Sequence, residues 1–153
     1  MKTLYILVGV PGSGKSTWIS QQEWPEDTAF ISTDKFVESF AASIGKTYSE
    51  VFDEYMSVAV NLMAEEVLEA KRAGRTIVWD QTSTTVKARK KKILMLPEYH
   101  KIAVILPTPE ATELNRRLKS RPGKSIPDFV MKQMLNIQYP TKEEGFDEIQ
   151  IVK

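Results

Sequence analysis

The sequence has no cysteine and a single histidine. Without cysteine there can be no disulfide scaffold, no thiolate zinc site and no thiol nucleophile. One histidine excludes a histidine-rich metal centre, and any Ser–His–Asp hydrolase would depend on His100 alone. Long apolar runs are also missing, since none approaches the ~20 residues needed to span a bilayer. The run Leu4–Val8 behind Lys2 is too short for a signal peptide and leads into a glycine loop instead of a small-residue cleavage site. These absences predict a cytoplasmic protein without a membrane partner. Neither sign of charge is in excess: 21 Lys and Arg oppose 20 Asp and Glu, a net charge of +1. That balance reads at first as evidence against a nucleic-acid partner.

What is present suits one domain, residues 1–153, with 42% hydrophobic and 27% charged residues and no internal repeat. Apolar, β-rich runs at Leu4–Val8, Ala29–Ser32, Thr76–Trp79 and Ile102–Leu106, with a weaker one at Glu148–Val152, alternate with helical stretches. Continuous apolar runs fit strands buried on both faces. Thr47 and Glu50 form a capping box for a long helix from about Ser49 to Ala73. Phe52, Met56, Ala59, Met63, Val67 and Ala70 supply its apolar stripe. Further helices are predicted from Thr108–Pro109 to Ser120, and after Ser125. Strand–helix alternation predicts a parallel sheet covered by helices. The three tryptophans, Trp18, Trp24 and Trp79, are expected in the core, and His100 at the start of a strand.

Residues 9–17, GVPGSGKST, fit the phosphate-loop pattern G-x-x-x-x-G-K-[ST]. An apolar strand precedes the loop and a helix is predicted to follow from Lys15. Glycines let backbone N–H groups turn toward phosphate oxygens, so Gly12, Ser13, Gly14, Lys15, Ser16 and Thr17 are the nucleotide-binding candidates. Lys15 is expected to bridge the β- and γ-phosphates, and the Ser16 hydroxyl to bind Mg²⁺. The loop implies a nucleoside triphosphate, but not the reaction. A GTPase or ATPase switch is disfavoured by the lack of an N-K-x-D motif and of room for a separate lid domain. A kinase of a small molecule or nucleoside, and one of nucleic acid, both remain.

Asp34 follows the second predicted strand and Asp80 ends the third. Ligands of open α/β sheets sit outside the carboxyl ends of strands, so both aspartates are expected to face the loop. There they could accept a proton from a hydroxyl or hold Mg²⁺; alternatively Asp34 caps the helix near Lys35 and Asp80 is a turn residue. Among residues 82–85, Thr82 is a candidate substrate contact. Residues 114–127, LNRRLKSRPGKSIP, read as a basic lid in which Arg117 and Arg121 share a helical face. Such cations can stabilise a transferring phosphoryl group. Lys87, Arg89, Lys90, Lys91 and Lys92 form either a solvated face or a track for nucleic-acid phosphates. Charge is thus segregated: residues 87–92 and 116–124 carry no acid, and residues 47–69 no base. Steering depends on such patches, not on the net charge.

These motifs together resemble the kinase domain of the T-even-phage type of 5′-polynucleotide kinase and, more broadly, zeta-toxin-like small P-loop kinases. GVPGSGKSTW at 9–18, the Asp34 segment, Asp80 in WDQT, Arg117, and RPGKSIP at 121–127 carry the resemblance. It implies a three-layer α/β/α P-loop fold, a five-stranded parallel sheet in the order 2-3-1-4-5, and a helical arginine lid. It also implies ATP and Mg²⁺, with Lys15 and Arg121 on the transferring phosphoryl group and Asp34 activating the attacking hydroxyl. One position departs. Where the family carries an arginine three residues after its general base, to bind the phosphate next to the acceptor hydroxyl, this chain has Val37. The reading is therefore a monomeric kinase acting on a hydroxyl of nucleic acid, DNA above RNA, at a polynucleotide 5′-OH. The alternatives are the hydroxymethyl group of a modified pyrimidine such as 5-hydroxymethyluridine in DNA, a small molecule or nucleoside, and a non-catalytic nucleotide-binding module. Lys87 and Lys90 are the candidate nucleic-acid contacts on the basic stretch.

Overall fold

In the computed structural model, which describes residues 2–121 and 123–153, the apolar runs are the strands of one sheet. Strands β1 (Thr3–Val8), β2 (Ala29–Ile31), β3 (Ile77–Trp79), β4 (His100–Ile105) and β5 (Glu148–Ile151) pair in the order β2-β3-β1-β4-β5. Every pairing is parallel; Leu4 lies opposite Ile77 on one side and Lys101 on the other. Helices α1 (Lys15–Ser20), α2 (Asp34–Ser43), α3 (Tyr48–Arg72), α4 (Val86–Met95), α5 (Ala111–Lys119) and α6 (Asp128–Leu135) surround it. No helix among the described residues is long and apolar enough to cross a membrane.

The central strands β1, β3 and β4 are buried on both faces, and the alternating side chains of β1 enter two separate cores. Leu4, Ile6 and Val8 pack with Met63, Val67 and Ala70 of α3 and with Leu96 beyond α4. Leu7, Val78, Ile102 and Val104 pack on the other face against Trp18 and Ile19 of α1 and against Trp24. Trp79 is buried in the first core, whereas Trp18 and Trp24 are half-buried and meet edge to face at 5.7 Å.

A third apolar cluster joins α2 to α3 through Val37, Ala41, Val51 and Ala59. Here α3 departs from the expected stripe. Val51 is fully buried, while Phe52 is 38% exposed. Val51 packs into the cluster with α2, and the Phe52 ring lies 5.5 Å from that of Tyr48. The Thr47–Glu50 capping box is present, with Thr47 N–H donating to Glu50 Oε1 at 2.8 Å. Helix α5 begins at Ala111, later than the Thr108–Pro109 start expected. Glu110, with ψ 150°, takes the N-cap position expected of Thr108, so Pro109 lies just outside the helix. Of the Pro-Gly break in the lid, Pro122 lies outside the described residues.

Candidate active site

The phosphate loop leaves β1 and lies at the carboxyl ends of β1 and β3, where the order of the sheet places its crevice. Gly14 caps α1 with a φ of 99°, a left-handed conformation that any side chain would strain. Gly12 has a φ of 85°, and a Cβ there would lie 3.0 Å from Leu114 Cδ1. Absence of a side chain at this position thus lets α5 close directly on the loop. Arg117 is seated there: its Nη1 donates to Gly12 O at 2.9 Å and its Nε to Glu113 Oε1 at 2.9 Å.

Lys15 is turned back on its own loop. Its Nζ donates to the carbonyls of Gly9 and Val10, each at 3.0 Å. Burial lowers its pKa to about 8, and the Arg121 charge pushes the same way, against the negative charges of Asp80 and Asp34. Burial also raises the Asp80 carboxyl, with Asp34 adding to the rise and Lys15 opposing it. The Ser13 hydroxyl is buried without a hydrogen-bond partner among the described residues and faces Gly9 beneath the loop. Ser16, Thr17, Asp34, Asp80 and Thr82 all line one cleft of about 1310 Å³ with the loop and the lid residues Arg117, Arg121 and Lys124.

Asp34 opens α2, and its Oδ1 accepts a hydrogen bond from the Tyr48 hydroxyl at 2.7 Å. Asp80 is held from below, its N–H donating to Ile31 O at 2.7 Å. The segment after it is tied to the phosphate loop: Gly9 N–H donates to Thr82 O at 3.0 Å. Ser83 has a φ of 46°, in the left-handed region that non-glycine residues avoid. Its carbonyl accepts from Arg89 Nη1 at 2.9 Å, and Arg89 also forms a two-point ion pair with Glu144, at 2.8 and 3.1 Å.

This pair corrects the reading of residues 87–92 as a continuous basic track. Arg89 is fully buried. Lys92 is buried over the Trp79 ring, 5.4 Å from its centroid, and burial lowers its pKa to about 8. Lys87, Lys90 and Lys91 are exposed, but none lines the cleft.

The lid lies against the start of α3. Ser125 N–H donates to Ser49 Oγ at 2.7 Å, and Ser49 N–H to Gly123 O at 3.0 Å. Lys124 is ion-paired with Glu38 and lies 4.9 Å from the centre of the Tyr48 ring. Val37 is fully buried in the α2–α3 contact, so the position of the family arginine does not open to the cleft. Among the cleft-lining residues not singled out from the sequence are Tyr48, Lys124 and Phe129, the last 68% exposed. Tyr48, Phe52 and Met56, four apart on one helix face, all line the cleft, although the same spacing reads in the sequence as part of a core stripe.

With this geometry in place, comparison with known sequences is decisive for the family. Residues 4–140 match the AAA domain family in its AAA_33 form. The chain belongs to this family. Its fold is that of the P-loop kinases. Mouse and human heterogeneous nuclear ribonucleoprotein U-like protein 2 are each 26% identical over 155 residues, covering 94% of this chain. The chain spans about a fifth of the length of these relatives, 20%. Among solved structures, the Pnkp1/Rnl/Hen1 RNA repair complex aligns with a TM-score of 0.63 and 20% identity, over 88% of this chain and 43% of the other. The PezAT toxin–antitoxin system of Streptococcus pneumoniae gives 0.63 and 22%, over 99% and 68%. Shikimate kinase from Acinetobacter baumannii gives 0.51 and 21%, over 100% and 85%. These likenesses establish the fold of this family member.

Proposed function

We propose that this AAA-family protein transfers the γ-phosphate of ATP to a hydroxyl of nucleic acid, at a polynucleotide 5′ end. The observation that carries the reading is one cleft that joins the phosphate loop, Asp34 and the lid cations to the exposed aromatic rings of Phe52 and Phe129. Its volume, about 1310 Å³, leaves room for an acceptor beside the nucleotide. Exposed aromatic side chains are platforms on which bases stack. The names of the ribonucleoprotein relatives and of the RNA repair complex support a nucleic-acid acceptor.

In this reading Lys15 leaves the Gly9 and Val10 carbonyls for the β- and γ-phosphates, and Gly12, Ser13, Gly14 and Thr17 line the phosphate cradle. Arg117 and Arg121 meet the charge that spreads over the transferring group. Asp34 takes the proton of the attacking hydroxyl, and Asp80 and Thr82 border the acceptor. Mg²⁺ fits the oxygen donors present. Among the described residues no cluster of three acidic or histidine side chains could hold an ion without phosphate oxygens and water. Ser16 would hold the ion, with Asp80 nearby, and the ion would neutralise phosphate charge.

Labelled ATP offered with 5′-hydroxyl oligonucleotides, hydroxymethylpyrimidine DNA and nucleosides tests the acceptor, with Asp34→Asn as the control expected to abolish transfer. Labelling of nucleosides alone overturns the nucleic-acid reading, and an Asp34→Asn protein with full kcat removes Asp34 from its role. Buried Val37 favours one second reading. Without a cation for a neighbouring phosphate at that position, a hydroxymethyl group on a pyrimidine within DNA is an acceptor of the same chemistry.

A further inference from the structure

The hydrogen bond from Tyr48 to Asp34 has no part in the phosphoryl transfer described above. It joins a hydroxyl to the one carboxylate proposed to receive a proton from a hydroxyl, at 2.7 Å. The phenol is held from several directions. Its ring lies 5.5 Å from that of Phe52, with Lys124 Nζ 4.9 Å from its centre. Lys124 is fixed by its ion pair with Glu38, and the adjacent Ser49 is bonded to Gly123 and Ser125 of the lid. Burial and the bond to Asp34 hold the phenol well above its ordinary pKa, so it remains a donor at any pH at which the protein works.

We infer that Tyr48 is a stand-in for the acceptor: its hydroxyl occupies Asp34 while the acceptor is absent and gives way when the acceptor hydroxyl binds. This rests on the proposed role of Asp34. The consequence concerns water. In the wasteful reaction a water oxygen bonds to the γ-phosphorus, the bond to the β,γ-bridging oxygen breaks, ADP leaves, and a water proton passes to Asp34. While Oδ1 accepts the phenol hydrogen bond, only Oδ2 of the carboxylate is left for water, and hydrolysis proceeds chiefly from the fraction of molecules in which Tyr48 has swung away. A site competent in only a fraction of molecules is slowed by that fraction.

Tyr48→Phe keeps the ring and its contacts and removes only the donor. Loss of one hydrogen bond to a charged group corresponds to about tenfold or more in population. Hydrolysis of ATP with Mg²⁺ and no acceptor is therefore expected to rise about tenfold in Tyr48→Phe, and adding Asp34→Asn is expected to cancel the rise. A merely structural role would lower the rate. Equal or lower hydrolysis in a variant of unchanged Tm overturns the inference. So does phosphotyrosine at Tyr48 by mass spectrometry, which would make Tyr48 an acceptor instead. Titration with a fluorescent ATP analogue separates the two levels: a protein that binds no ATP fails the kinase reading itself and takes the inference down with it.

Discussion

Lys15 makes ATP affinity depend on pH in a way that can be worked from its surroundings. Burial lowers its pKa in the free protein from 10.5 to about 8. A bound triphosphate holds the same amine protonated, so binding takes up a proton wherever the free lysine has lost one. The protonated fraction of the free protein falls from about nine-tenths at pH 7 to about one-tenth at pH 9. The dissociation constant for ATP should therefore rise about tenfold over that interval, equivalent to about 1.4 kcal/mol. Folding stability should move the opposite way. The unfolded chain binds more protons between pH 8 and 10.5, so the cost of burying Lys15 is complete below pH 8 and is relieved as pH rises above it. Titration with a non-hydrolysable fluorescent ATP analogue at pH 7, 8 and 9 measures the affinity. Lys92, lowered to about 8 but set against Trp79, supplies the control. Lys92→Met should keep the pH dependence and Lys15→Met should lose it. A dissociation constant that stays constant from pH 7 to 9, or a slope that survives Lys15→Met, would refute the reasoning.

Arg121→Ala should lower kcat by roughly 10²–10³-fold, the usual loss of one donor that serves the transition state, with little change in ATP affinity; equal losses in both would make it a ground-state contact. Arg89→Met leaves Glu144 and the Ser83 carbonyl without their partner, and should cost about 3–5 kcal/mol in urea unfolding; a cost under about 1 kcal/mol would mean the ion pair does not hold the segment after Asp80. Val37→Arg, intended to restore the family's arginine, should instead destabilise the α2–α3 contact by several kcal/mol without improving use of 5′-hydroxyl oligonucleotides, because a charge placed there is buried. A stable Val37→Arg protein with a lower KM for such oligonucleotides would show that the position opens to the acceptor.

Features written in consecutive residues were legible in advance. The phosphate loop is a run of nine residues, the capping box spans four, and the central strands carry unbroken apolar runs at Leu4–Val8 and Ile102–Leu106. Each states its structure locally. Arg89 and Phe52 were not legible, for opposite reasons. Arg89 sits among the exposed Lys87, Lys90 and Lys91, and its burial depends on Glu144, 55 residues away in sequence. Phe52 belongs to a helical stripe that periodicity assigns to the core, but periodicity gives spacing and not the direction in which the helix meets its neighbours.

The sequence by itself determined the strands and the phosphate loop between β1 and α1, because backbone propensity and side-chain spacing act over a few residues. Only the tertiary structure decided which cations face the cleft, that position 37 is sealed between α2 and α3, and that a tyrosine hydroxyl rests on Asp34. Those outcomes depend on helix packing angles and on ion pairs between distant residues, in which one partner's position has no meaning until the other's is known.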